Sequence, residues 1–312
     1  MNLLNFISTF PDEDSCKTRL KEMREQEGVV CSKCGNISHY WKRDKWQFEC
    51  KSCKTRTTLK SGTIMHGSQL PLRYWFVAIH LLTSTKKSFS SLELQKQLGH
   101  KYYEPIWTMV HKLRLAMGKR DDNYSLSGEI ELDEGYFSTI VIDNQKEEPL
   151  KRGRGSQKKT KVLVMAESRV VTNKTSKKGK PKRVGFIKMK VITDLKSETI
   201  DNQVISNISN QSILTTDDST SYTNFENIVE GHNSQVIPKE KIGEILPWVH
   251  LAISNAKRML LDIHHVMKPE YLQAYLNEFC YKFNRRYFGE AIFDRMLLVC
   301  VSSKNEYRYR IR

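Results

Sequence analysis

The chain has no apolar stretch long enough to cross a membrane. Its longest hydrophobic runs, 74–82 and 296–301, fall well short of the ~18 residues a spanning helix requires. The opening Met1-Asn-Leu-Leu-Asn-Phe6 has no basic residue of the kind that starts an export signal, and the acids Asp12, Glu13 and Asp14 follow soon after. Acid is the scarcer charge overall, with 35 Asp plus Glu against 51 Lys plus Arg, a net +16 and a pI near 9.4. An excess of that size favours a polyanionic partner, and without membrane segments nucleic acid is the better choice than an anionic lipid surface. The expectation is a cytoplasmic protein close to DNA.

Seven cysteines in a chain of this size and compartment do not suggest a disulfide framework. Four of them form two CxxC pairs, Cys31/Cys34 and Cys50/Cys53, separated by fifteen residues. That spacing suits two short turns that each offer two thiolates to one tetrahedral zinc ion. A pair of disulfides or a redox CxxC would need other surroundings. Between the pairs, Tyr40, Trp41, Trp46 and Phe48 supply strand-forming residues for a ribbon whose core is too small to fold without the metal. Four thiolates leave no open coordination position, so the zinc is structural, with His39 and His66 as bystanders.

Residues 69–120 read as three helices. Leu72, Phe76, Ile79 and Leu82 recur at helical spacing, Ser90-Ser91-Leu-Glu starts a second helix ending near Gly99, and Glu104-Pro105 opens a third. This is a helix-turn-helix outline. The third helix puts Ile106, Met109, Val110, Leu113 and Met117 on its core stripe and leaves Trp107, His111, Lys112 and Arg114 for a DNA groove.

From about residue 128 the pattern turns to strands: 129–136, 161–167 and 184–193, then a helix over 198–208 and a short strand ending at Thr216-Asp217. Three strands, a helix and a fourth strand are the order of an RNase H-like domain. In the first strand a period of two puts Glu129, Glu131 and Asp133 on one face and Ile130 and Leu132 on the other. An acid-lined face is costly unless something positive meets it. The second carboxylate is best placed at Asp217. Asp194 ends the third strand rather than the fourth, and Asp218 points the other way. Two carboxylates on neighbouring strand ends suit Mg²⁺ or Mn²⁺, which prefer oxygen ligands, and two such ions would activate an attacking oxygen and stabilise a leaving one.

Further residues carry a resemblance: Glu131-Leu-Asp133-Glu134, Lys151-Arg-Gly-Arg-Gly155, Thr216-Asp217, His250-x-x-x-x-Asn255-x-Lys257, His265, and the run from Tyr275 to Arg286. With the two CxxC pairs, they resemble the bacterial zinc-ribbon insertion-sequence transposases of the DDE superfamily. The likeness extends to the variant in which the third acid is Asn followed by Lys. It implies a metal trio of Asp133, Asp217 and Asn255, with Lys257 as an accessory residue. It also implies Mg²⁺-dependent strand cleavage and transfer at inverted terminal repeats, and a homo-oligomer holding transposon ends and target DNA. The division that follows is 1–66 for an N-terminal helix and zinc ribbon, 67–125 for the helix-turn-helix-like region, and 126–312 for an α/β RNase H-like catalytic domain with a mixed sheet flanked by helices.

If a helix begins near Ser254, Asn255 and Lys257 project to nearly opposite sides and Lys257 ranks below Asn255. Glu278, on a helix over 269–286, is the substitute acid, although an ion pair with Lys282 one turn on explains it as well. His250, His264 and His265 are possible helpers. Lys151, Arg152, Arg154, Lys158 and Lys159 form an acid-free stretch whose glycines let a backbone approach phosphates, and 174–190 is a second such stretch. The Asn at 255 keeps an inactive zinc-ribbon DNA-binding protein among the readings, and a structure-selective nuclease on the same fold is the other. Counterion release predicts that DNA binding weakens steeply as salt rises; a flat response in a binding titration removes the phosphate track.

Overall fold

The computed structural model describes residues 1–141, 149, 151–153, 156–171, 182–236, 238, 242–264 and 267–304. Arg154, His265 and most of the second basic stretch, 172–181, lie outside the described residues. In chain order the elements are α1 (Leu3–Thr9), α2 (Glu13–Glu27), β1 (His39–Lys42), β2 (Gln47–Cys50), β3 (Arg56–Thr58), α3 (Leu72–Ser84), α4 (Ser91–Leu98) and α5 (Tyr103–Asp122). They continue with β4 (Glu129–Ser138), β5 (Lys159–Val170), β6 (Lys182–Ile192), α6 (Ser197–Asn207), β7 (Ile213–Asp217), β8 (Gly231–Gln235), α7 (Ile242–Ile245), α8 (Pro247–Leu261), α9 (Pro269–Asn284) and α10 (Ala291–Ser302). Two compact units result, one of residues 1–120 with 285 onward and one of 121–284.

In the first unit, β1, β2 and β3 form an antiparallel ribbon in which Tyr40 lies opposite Glu49 and Glu49 opposite Arg56. Alternation sends Trp41 and Phe48 to the inner face, where Lys21 and Lys17 of α2 sit 5.2 Å over the rings of Trp41 and Trp46. The buried Arg24 of α2 donates to the backbone oxygens of Leu59 and Ser61, tying the helix to the ribbon's end. Glu13 accepts from the backbone N–H groups of Leu72 and Arg73 at 2.8 and 2.9 Å. It thereby caps α3, whose own N-cap residue is Pro71 and has no side-chain acceptor.

The sequence reading assigns 285–312 to the catalytic half, but α10 belongs to the first unit. Phe293 of α10 packs with Phe6, Phe10 and Phe76, and His80 stacks on Phe6 at 4.4 Å. An apolar helix follows the largest apolar surface on offer, whatever its distance along the chain.

The three helices expected over 69–120 are present, and Ser90 caps α4 by accepting from the Glu93 N–H. The residues of the third helix expected to face a DNA groove are enclosed instead. Trp107, His111 and Arg114 are buried along with the expected stripe, and the Arg114 guanidinium donates to Ser88 Oγ and the Phe89 carbonyl. Lys112 is half-buried, with its ammonium 3.4 Å from the His66 carbonyl and its pKa lowered by burial. A helix enclosed on nearly all sides is a packing element.

In the second unit the sheet order is β6-β5-β4-β7-β8, antiparallel across β6, β5 and β4 and parallel across β4, β7 and β8. This is the expected mixed sheet flanked by helices. One face packs Ile130, Leu132, Leu163 and Leu214 against Ile200 and Val204 of α6. The other packs Val162, Val164 and Met189 against Ala252 and Ala256 of α8 and Leu276 of α9.

β6 is an edge strand, and side-chain amides from α9 take the place of a further strand. Asn284 accepts from the Ile187 N–H and donates to the Ile187 carbonyl, at 2.8 and 3.0 Å. Gln273 does the same between Val191 and Met189. This satisfies the edge and blocks further pairing. Asn284→Ala strips two buried backbone groups of their partner and is expected to cost about 2 kcal/mol. Chemical denaturation of the variant checks it.

Candidate functional site

The four ribbon cysteines converge. Their sulfurs all lie within 4.8 Å of one another, with Cys31 to Cys53 and Cys34 to Cys50 each at 3.5 Å. A tetrahedral zinc with ~2.3 Å bonds needs sulfurs about 3.8 Å apart, so the donor set fits zinc in both type and spacing. The two turns are built alike. The backbone N–H of Gly35 donates to the Cys31 carbonyl, and that of Lys54 to the Cys50 carbonyl. Both residues take a left-handed conformation, with φ of 73° and 61°. Glycine adopts it freely, while a side chain there costs roughly 1–2 kcal/mol. His39 contacts the Ile37 carbonyl through Nδ1 and stays outside the sulfur cluster.

The second candidate centre lies on β4. Its alternation is as expected, with Ile130 and Leu132 in one core and Glu131 and Asp133 on the opposite face. Each acid on that face has its own partner. Lys182 pairs with Glu129. Glu131 is 5% exposed and accepts from the backbone N–H groups of Trp248 and Val249 at 2.7 and 3.0 Å. The positive end of α8 therefore meets the strand's buried acid. Burial pushes the Glu131 carboxyl up to about 7, against the two amide donors that pull it down.

Capped in this way, α8 runs along β4 in the same direction. His250 Nε2 lies 3.6 Å from Asp133 Oδ2, an added Cβ at Gly135 would meet Ile253 at 3.4 Å, and the Lys257 ammonium lies 5.7 Å over the Phe137 ring. Burial lowers the His250 pKa. At about 100° per residue, Asn255 is roughly 140° around the helix from His250 and 160° from Lys257. His250 and Lys257 share the face turned to β4, and Asn255 lies on the far flank.

Asp217 is the last residue of β7 and half-buried. The parallel ladder of β4 and β7 ends at Glu131 opposite Thr215. Two residues beyond that last pair stand Asp133 on β4 and Asp217 on β7, which strand alternation assigns to the same face. Burial, then Glu134, and after it Asp133 and Asp217 raise the pKa of the Tyr222 phenol, which donates to Glu134 at 2.6 Å.

The remaining candidates fall elsewhere. Asp194 lies just before α6 and accepts from the Lys196 N–H and the Thr199 hydroxyl. Asp218 is exposed and accepts from Ser234. Glu278 is buried and ion-paired with Lys282 at 3.4 Å, the i,i+4 arrangement its spacing allows. His264 packs on Tyr275. Lys151, Arg152, Lys158 and Lys159 are exposed. Lys159 lies near enough to lower the Lys257 pKa, second to burial. These two cations stand by the far end of β4, about four residues or ~14 Å along the strand from Asp133.

Sequence reasoning missed the roles of Glu131 and of the first turn of α8. The signal was available in Pro247, which sits at the helix start and fits the first helical turn because its missing N–H needs no partner there.

The profile of the ISXO2-like transposase domain family matches residues 125–284, and that of the transposase zinc-ribbon domain matches 11–56. An uncharacterized protein in transposable element ISH50 of Halobacterium salinarum is 25% identical over 172 residues, which is 52% of this chain and 57% of that protein. The match therefore spans little more than half of that relative's length. A chain in the crystal structure of a pre-cleavage Mos1 transpososome aligns over 78% of this chain and 82% of its own, at 13% identity and a TM-score of 0.29, too low to equate the folds.

Glu131→Ala leaves the first N–H groups of α8 without their acceptor and is expected to destabilise the second unit by about 2 kcal/mol, while Glu131→Gln keeps an acceptor and costs less. Thermal unfolding of both variants checks the order, and equal losses count against the cap.

Proposed function

This chain belongs to the family of ISXO2-like transposases, and on that premise we propose that it cleaves and rejoins DNA strands at the ends of an insertion sequence, using Asp133 and Asp217 as the acids of a divalent-metal site. The observation that carries the reading is the placement of these two carboxylates on one face of adjacent parallel strands.

Among the described residues, the only group of three or more close His, Cys, Asp or Glu side chains is the zinc-type cysteine set. The second centre is therefore a pair of hard oxygen donors. That suits Mg²⁺ or Mn²⁺, which keep several waters and complete their shells with substrate phosphate. When bound, such ions supply charge for the attacking and leaving oxygens of an in-line displacement.

The chain's own residues do the positioning. Glu131 holds the start of α8, and α8 in turn presents His250 to Asp133. In this reading His250, rather than Asn255, is the α8 residue that addresses the acid pair. Lys257 and Lys159 provide cations beyond the acids where phosphates of the bound strand would run. Binding of the inverted terminal repeats and assembly of a multimer holding two ends belong to the same proposal.

Asp133→Asn and Asp217→Asn are each expected to lower strand cleavage and joining by roughly a hundredfold or more, as loss of a charge-stabilising group does, while DNA affinity is retained. A strand-transfer assay with Mg²⁺ or Mn²⁺ on element-end duplexes checks it. Activity surviving in either variant rejects the pair, and cleavage without a joined product in the unaltered protein rejects the joining step.

A further inference from the structure

We propose that the outer face of the zinc ribbon, centred on Tyr40 between Lys51 and Lys54, is a docking surface for the DNA backbone. The inference rests on the reading of the chain as a DNA transposase and adds a place on the molecule where the duplex is held.

Three observations carry it. The first is which face is free. Trp41 points inward to α2, so its neighbour Tyr40 points away, and Tyr40 is 49% exposed. In the same register Glu49 and Arg56 share that outer face, with Lys42 two pairs further along.

The second is charge. Residues 29–60 contain eight Lys or Arg against two acids, Asp44 and Glu49. Glu49 is held between Lys42 and Arg56 at 3.5 and 3.2 Å, which leaves the face strongly cationic. The ammonium groups of Lys51 and Lys54 lie 5.1 and 5.4 Å over the Tyr40 ring. A ring flanked by two cations offers a flat surface to sugar or base and two charges to the phosphates beside it.

The third is backbone conformation. The two cysteine turns are equivalent, and the position after the second cysteine is left-handed in both. The first turn fills it with Gly35, the residue that fits, and the second with Lys54, which is strained there. Strain of this kind persists where a side chain has work to do. Among the described residues, the exposed Lys54 ammonium meets only the Tyr40 ring, which leaves its charge open to a partner outside the chain. A protein partner would meet the same cations, but the regular, dense negative charge of a duplex matches a row of lysines and arginines best.

The test uses the full-length, zinc-loaded protein and fluorescence anisotropy with a labelled duplex across a salt series. Lys51→Ala with Lys54→Ala is expected to weaken binding more than tenfold at ~0.1 M salt and to reduce the log–log salt slope by about 1.8, the value for two lost phosphate contacts. Lys196→Ala with Lys268→Ala removes two exposed charges from the second unit and controls for net charge alone; it is expected to change the slope far less. Lys54→Gly separates docking from folding, because it is expected to preserve zinc content and thermal stability while DNA binding still falls severalfold. Unchanged affinity and slope in the ribbon variants, or an equal loss in the control pair, overturns the docking surface and leaves the transposase reading intact. Failure of the unaltered protein to bind any duplex overturns both.

Discussion

The arrangement of the second unit depends on one contact, the buried carboxylate of Glu131 accepting two backbone N–H groups at the start of α8. An acid pointing from a strand into a helix-covered face is costly unless it finds donors. A helix start whose N-cap residue is Leu246 has donors without a side-chain acceptor. Each solves the other's problem, and the match fixes where α8 begins relative to β4. From that start, His250 falls beside Asp133, Ile253 beside Gly135 and Lys257 beside Phe137. The helix lies close because Gly135 has no side chain in its path.

The ribbon cysteines and the proposed acid pair are arrangements of opposite chemistry. The ribbon brings four soft sulfurs together on two rigid turns and closes the shell, so its metal serves folding. The acid pair stands where the β4–β7 ladder ends and offers few, hard ligands, leaving room for water and phosphate. A small domain with so little core needs the first kind of site, and chemistry on a phosphodiester needs the second.

Net charge overstates the surface available to DNA. Arg24, Arg114 and Lys188 are buried and donate to backbone or side-chain oxygens inside the fold, and others pair with acids. Guanidinium and ammonium groups act here as internal connectors because they satisfy carbonyls that no strand or helix reaches. Among the described residues, the exposed cations include Lys51, Lys54 and Arg56 on the ribbon and Lys158 and Lys159 at the start of β5.

The sequence by itself determined the features set by short-range rules. The CxxC spacing specified the thiolate cluster, the period of two in 129–137 specified which acids share a face, and Ser90 and Gly99 marked the ends of α4. The order of strands and helix specified the mixed sheet. Only the tertiary structure decided which face of a helix is covered, because that depends on neighbours far away in the chain. It buried Arg114 on a helix expected to read a groove, carried α10 to the N-terminal aromatic cluster, and started α8 seven residues before the Ser254 expected from sequence. That last shift turned His250 rather than Asn255 toward Asp133, since at about 100° per residue a helix's start and its docking contact together set the direction of every side chain along it.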